Sequence, residues 1–180
     1  MPWLVILLAL GMIVSSVVGI FEKVVTNLPI LMCFQSVILD MAGNVGTQSL
    51  AVTIRVLMDE SLTTKQKFEL VFKEMKIGLC NGGVLGLMSF ALIGLYIYVV
   101  KGKTLIFAYA VSGCIGLSLL LAMLISSAVG TCIPLFFKKI HIDPAVASGP
   151  LITTINDLVA VISYYGLSWI FLIEVLQLAG

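Results

Sequence analysis

TLIFAYAVSGCIGLSLLLAMLISSAVGTCIPLFF, residues 104–137, carries no charged side chain from end to end. A bilayer core is crossed by about 20 residues of apolar helix, so this stretch alone places the chain in lipid. It is too short for two full spans and a turn, and Gly113, Gly116, Gly130 and Pro134 offer places where one long helix can bend. The whole composition agrees. Of 180 residues 61% are apolar and 11% charged, with a mean hydropathy of +1.19, which excludes a soluble globule. Ten Lys+Arg against nine Asp+Glu give a net charge of +1, so neither a basic nucleic-acid footprint nor an acidic disordered tail is present.

Further charge-free runs lie on either side: Pro2–Phe21, Val24–Leu39 leading into Met41–Ile54, Ile77–Val100, and Pro144–Asn156 continuing as Leu158–Ile173. They predict an all-α integral membrane protein, one domain over residues 1–180, with five transmembrane helices near 2–22, 29–57, 77–100, 104–137 and 145–173. The first run has no basic residues ahead of it and no small-residue cleavage site in the usual place, so it reads as a span rather than a signal peptide. Arg55, Lys65, Lys67, Lys73, Lys76, Lys138 and Lys139 fall on one side, and Lys23, Lys101 and Lys103 on the other. Seven against three predicts a multi-pass plasma (inner) membrane protein with its N-terminus cytoplasmic and its C-terminus outside.

Between spans two and three, Phe68, Val71, Phe72, Met75 and Leu79 recur at helical spacing, with Lys65, Lys67, Glu69, Lys73, Glu74 and Lys76 on the other faces. The pattern predicts a short amphipathic helix on the cytoplasmic membrane surface; a plain extension of span three is the alternative. Gly78, Gly82 and Gly86, four apart, mark a face that a partner helix can approach closely.

Cys33, Cys80, Cys114 and Cys132 are scattered through apolar runs without a C-x-x-C pair, and read as small buried apolar residues. His141, beside Lys138 and Lys139, reads as a membrane-interface residue. Nucleophile-elbow, zinc-protease and phosphate-loop motifs are absent, so the chain does not read as an enzyme or as a holder of a resident cofactor.

The acids carry more information. Asp40 and Asp157 fall well inside predicted spans, near the midpoints at about Gly43 and Val159, and inserting each costs at least about 2.5–3.5 kcal/mol. On span two Asp40, Asn44 and Gln48 are spaced by four, beside the slim segment Met41–Gln48. Such a stripe suits a pore lining, or hydrogen bonds between packed helices. On span five Pro150, Thr153 or Thr154, and Asp157 share one face, and Pro150 removes an amide donor from the first turns. With no Lys or Arg at that depth, Asp157 is either a protonated acid bonded to a neighbour or a cation site, and the second reading is preferred. Carboxylate, amide and hydroxyl oxygens without thiolate or imidazole favour hard ions such as Mg²⁺, Ca²⁺ or Mn²⁺. Mg²⁺ in particular keeps its waters and is held by one or two carboxylates, which two copies of the chain facing a shared axis would supply.

Two motifs together, Gly43-Asn44-Val45-Gly46-Thr47-Gln48-Ser49-Leu50 and Asp143-Pro144-Ala145 through Ser148-Gly149-Pro150-Leu151-Ile152-Thr153-Thr154-Ile155-Asn156-Asp157, resemble the transmembrane domain of the MgtE family of magnesium transporters and channels. The likeness extends to Pro2-Trp3 and Gly19-Ile20-Phe21-Glu22 in span one. It implies a homodimer of five-helix subunits with a central Mg²⁺ path lined by spans two and five. The family's pore aspartate falls on Asp157, where it recognises hydrated Mg²⁺. The acid at the cytoplasmic start of span five falls on Asp143, which by spacing alone is a helix cap before Pro144. Asn44, Gly46 and Gln48 would lie beside the path with Pro150, Thr153 and Thr154. Asp40 adds an acid near the motif, and Ala42 stands where a second glycine is common.

The resemblance therefore implies Mg²⁺ transport, with Mn²⁺, Co²⁺ or Ca²⁺ tolerated to some degree and no cofactor beyond the transported ion. The family's cytosolic sensor domains are not in these residues, so a separate cytosolic regulatory domain or subunit is the expected partner besides lipid, divalent cations and a second copy. Two other functions fit the same residues: a cation carrier coupled to Na⁺ or H⁺, and a non-conducting membrane assembly module.

Overall fold

Several helix boundaries have a local cause in the sequence. The computed structural model describes residues 2–59 and 62–178, which form helices joined by short connections. Helix α1 (Pro2–Ile20) and the short α2 (Glu22–Asn27) lead to Leu28–Pro29, where the ring removes a main-chain donor and the chain passes through one 3₁₀ turn, Pro29–Leu31. Helix α3 (Met32–Asp59) follows. Helix α4 (Thr64–Val99) opens on a capping box: the Thr63 amide donates to Gln66 Oε1 at 2.8 Å and the Gln66 amide to Thr63 Oγ1 at 3.4 Å. Thr104 caps α5 (Leu105–Lys139) by accepting from the Phe107 amide, 3.3 Å. Asp143 caps α6 (Pro144–Ser168), with Pro144 at the first helical position, where its missing amide proton costs nothing. Beyond Ser168 the helix widens into a π turn, Trp169–Val175, so the fifth predicted span ends in a different winding.

Four of these helical stretches, Pro29–Met58, Thr64–Val99, Leu105–Lys139 and Gly149–Val175, are long and apolar enough to cross a membrane. The protein is therefore a multi-pass, all-helical membrane protein. The first predicted span is the apolar helix α1, which packs beside α6 and is not among these four. The segment expected to form a separate surface helix is the continuous beginning of α4, as in the alternative reading. At about 1.5 Å per residue α4 is about 54 Å long, more than the roughly 30 Å of a hydrocarbon core, so one end of it extends into the headgroup zone.

The α4 stripe that packs is not the one made of large side chains. Phe68 and Phe72 are 63% and 61% exposed, whereas Leu70, Glu74, Gly78, Gly82 and Gly86 are buried. Lipid can cover phenylalanine rings, while only slim residues let two backbones meet. A Cβ added at Gly86 would stand 2.7 Å from the Gly116 carbonyl oxygen, and one at Gly82 2.8 Å from Leu120 Cα. These contacts run antiparallel along α5, which sits at the centre with α3, α4 and α6 around it.

The same freedom explains the cysteines. Cys114 is buried as expected, but Cys33, Cys80 and Cys132 are exposed, because in lipid an apolar side chain can face outward. His141 closes α5 with φ 58°, exposed in the left-handed region. Its amide donates to the Lys138 carbonyl at 3.3 Å and that of Ile142 to the Phe137 carbonyl at 3.0 Å, a Schellman closure.

Two buried tyrosines tie α6 to the start of α3. Tyr164 donates its hydroxyl to the Leu31 carbonyl and Tyr165 to Gln35 Oε1, each at 2.8 Å. Phe21 stacks on Tyr165 with ring centroids 5.8 Å apart, seating the end of α1 on the same point.

Candidate functional site

With α3 and α6 antiparallel and tied at the tyrosines, the middles of the two helices meet, and there the polar residues of both open onto one cleft. Leu39, Asp40, Gly43, Asn44 and Thr47 of α3 and Thr153 and Asp157 of α6 line about 290 Å³. Asp40, Asn44, Thr47 and Thr153 are exposed at the surface of the subunit and Asp157 is half-buried. A Cβ at Gly43 would meet nothing, so the glycine widens the cleft.

The hydrogen bonds inside this group leave acceptors outward. Asn44 Nδ2 donates to Asp40 Oδ2 at 3.3 Å, which leaves the other carboxylate oxygen and the amide oxygen free of bonds within the pair. The Thr47 hydroxyl donates to the Gly43 and Asn44 carbonyls at 2.9 and 3.0 Å, and Thr153 to the Gly149 carbonyl at 3.2 Å. Each threonine spends its proton on its own helix and presents oxygen lone pairs. The cleft is thus rich in acceptors, with two carboxylates and no basic side chain among the residues that line it. Such a lining suits something that carries positive charge and donates hydrogen bonds.

The remaining sequence candidates lie elsewhere. Gln48 turns to a second cleft of about 400 Å³ with Asn81 and Met123, which Asn44 also borders. Thr154 is half-buried, donates to the Pro150 carbonyl at 3.1 Å and does not line the Asp157 cleft. Asp143 lines a third cleft of about 430 Å³ at the end of the bundle with Leu57 and Lys138. One of its oxygens accepts the Ala145 amide at 2.9 Å, so the capping role is real and the exposed carboxyl keeps further acceptor capacity. Lys138 Nζ donates to the Leu57 carbonyl, joining the ends of α5 and α3.

Gly46 lies behind the cleft, not in it. A Cβ there would collide with the Asn156 carboxamide, its Cγ only 2.8 Å away, and a Cβ at Gly130 would collide with the Gly46 carbonyl, whose carbon lies 3.0 Å off. Asn156 is fully buried, and neither its Nδ2 nor its Oδ1 has a hydrogen-bond partner. Each such unpaired buried group costs about 1–3 kcal/mol. Sequence reasoning passed over Asn156 and Thr47. Thr47 completes the spacing Asp40, Gly43 or Asn44, Thr47, which follows a helical face more closely than steps of four.

Comparison with known proteins decides the family. The sequence profile of MgtE, described as a divalent cation transporter, matches residues 35–167, which include both motifs and the whole cleft. The chain belongs to the MgtE family. It is 36% identical over 172 residues to the magnesium transporter MgtE of Bacillus subtilis and, to the same extent, to that of Enterococcus faecalis. The magnesium transporter MgtE of Thermus thermophilus is 32% identical over 170 residues. These alignments cover 96%, 96% and 94% of the chain but 36% of each relative, so the chain spans about a third of the length of those proteins. The family is one of divalent cation transporters.

Proposed function

We propose that two copies of this chain form a path for Mg²⁺ across the membrane, with the α3–α6 clefts facing each other and Asp157 recognising the hydrated ion. The observation that carries this reading is the exposure of Asp40, Asn44, Thr47 and Thr153 beside Asp157, halfway along helices that cross a bilayer. Lipid cannot face such a stripe without a cost of several kcal/mol, so water, an ion path or a second copy covers it. Mg²⁺ sheds its water reluctantly, and its shell donates hydrogen bonds outward to acceptors such as the Thr47, Thr153 and Asn44 oxygens. One Asp157 from each subunit gives two carboxylates at mid-depth, enough to hold an ion through its waters. Family membership and the names of the relatives support Mg²⁺ as the cargo. Mn²⁺, Co²⁺ and Ca²⁺ would pass less well.

In this arrangement α1 supplies a fifth span, the N-terminus is cytoplasmic, and the lysine-rich ends of α4 and α5 lie at the cytoplasmic face. Asp143 then stands at the cytoplasmic mouth as an outer ion site, and a cytosolic domain or subunit regulates from that side. The test is Mg²⁺ uptake into proteoliposomes, read by a trapped dye, comparing wild type with Asp157→Asn at matched incorporation. Flux should fall to background while cross-linking shows an intact dimer. Equal flux in the variant overturns the role of Asp157, and a Mg²⁺ flux that needs an imposed Na⁺ or pH gradient replaces the channel with a coupled carrier.

A further inference from the structure

The contact behind the cleft points beyond the pore reading, though it rests on that reading. Gly46 of α3 is held between two neighbours: the Gly130 backbone of α5 on one side and the Asn156 carboxamide of α6 on the other. All three atoms nearest to a Cβ at Gly46 belong to Asn156, so this one side chain limits how closely α3 and α6 approach. It is fully buried and makes no hydrogen bond. An apolar residue of similar size would fill the same space without leaving a polar group unpaired, so close packing by itself does not select an amide here.

The position of the contact supplies a reason. Asn156 precedes Asp157 and Gly46 precedes Thr47, so the contact lies one residue from the cleft on both helices. Consecutive helical residues point about 100° apart, and a rigid α6 cannot move one without the other. We infer that Asn156 is a positioning residue: seated on Gly46, it sets the spacing and register of the two pore helices, and so where Asp157 stands across from Thr47 and Asn44. Its unspent hydrogen bonds keep that contact reversible. When α6 shifts on α3, the amide gains water or a main-chain partner, whereas an apolar side chain in its place would hold the helices in the packed position.

Three variants test this beside Asp157→Asn, each read for melting temperature, dimer content, Mg²⁺ flux and the ratio of Mg²⁺ to Ca²⁺ flux. Asn156→Leu should melt at or above the wild-type temperature yet lose roughly threefold or more of its flux, with a changed ion ratio. A merely structural role would move flux and stability together. Gly46→Ala should lose about tenfold in flux, and Gly46→Ala combined with Asn156→Ala should recover much of it, because the side chain that meets the new methyl is gone. Wild-type flux and ion ratio in Asn156→Leu, or in Gly46→Ala, overturn the inference. If Asn156→Leu does not assemble, the Gly46 pair decides: recovery supports the inference and equal loss in both overturns it. Wild-type flux in Asp157→Asn takes away the pore reading itself, whereas a dead Asp157→Asn with normal Asn156→Leu and Gly46→Ala removes this inference alone.

Discussion

The α4–α5 seam and the α3–α6 seam are both closed by glycine, and they differ in what surrounds the contact. Along α4–α5 the glycines meet backbone, serine and tyrosine: Gly78 lies against Met123 and Ser127, Gly86 against Gly116, and Gly94 against Tyr109 and Ser112. Seam serines and threonines of α5 return their hydrogen bonds to their own helix, as Ser127 does to the Leu124 carbonyl at 2.9 Å and Thr131 to that of Ser127 at 2.9 Å. Along α3–α6 the glycine contact backs onto an open cleft of carboxylates, amide and hydroxyls. A stripe of small residues in a membrane helix thus marks close approach in both places, and the open cleft of polar groups beside the second is what supports the proposed transport path.

Substitutions sharpen that contrast, and the largest effect belongs to the cleft. Asp157→Ala should lower Mg²⁺ flux at least about a hundredfold without loss of melting temperature, since the change removes a half-buried acid that costs several kcal/mol to hold in the membrane. Uptake assays run beside thermal melts in detergent would show it. A large fall in melting temperature with residual flux would instead make the acid a structural group like those of the other seam.

The converse applies to Gly86→Ala. The added methyl would press on the Gly116 carbonyl, backbone against backbone, so the seam must open and the protein should lose about 1–3 kcal/mol of stability. The half-saturating Mg²⁺ concentration of the protein that remains folded should not change. A shift in that concentration would couple the two seams through α5.

How far the sequence foretold each seam follows from the same chemistry. The four-residue spacing of Gly78, Gly82 and Gly86 was enough to mark a contact face, but not to find its partners Gly116, Leu120 and Ser127, because helix register depends on the neighbour. The Phe68 and Phe72 face, whose spacing predicts an apolar side turned to the membrane surface, is exposed and left for lipid and interface. In the cleft, Asp40, Asn44, Thr153 and Asp157 were legible because polar groups are rare and costly at that depth. Gln48 was not, since each step of four turns the helix about 40° past a full circle and two steps carry it away from Asp40. Asn156 carries no such signal, since its fit to Gly46 is one that no spacing within one helix contains.

A smaller effect would refine the cleft. Asp40 lines it but shares one oxygen with Asn44, so it adds negative field more than it grips the ion. Asp40→Asn should raise the half-saturating Mg²⁺ concentration by roughly threefold and leave maximal flux nearly unchanged. Concentration series of uptake in the two proteins check this, and a collapse of maximal flux would promote Asp40 to an equal of Asp157.

The smallest expected change lies at the turn that delivers α6 to the cleft. His141 holds φ 58° to complete the closure of α5, a conformation in which a Cβ is crowded and glycine is not. His141→Gly should therefore raise stability by about 0.5–1 kcal/mol, less what the more flexible unfolded chain takes back. The turn leads directly into Asp143, whose cap on Ala145 starts α6. If the turn only connects, melting temperature rises slightly and Mg²⁺ flux stays as it was. If the strained histidine instead sets the angle at which α6 leaves α5, flux and ion ratio change while stability rises, and the control of Asp157 extends from Asn156 to the N-terminal end of its helix.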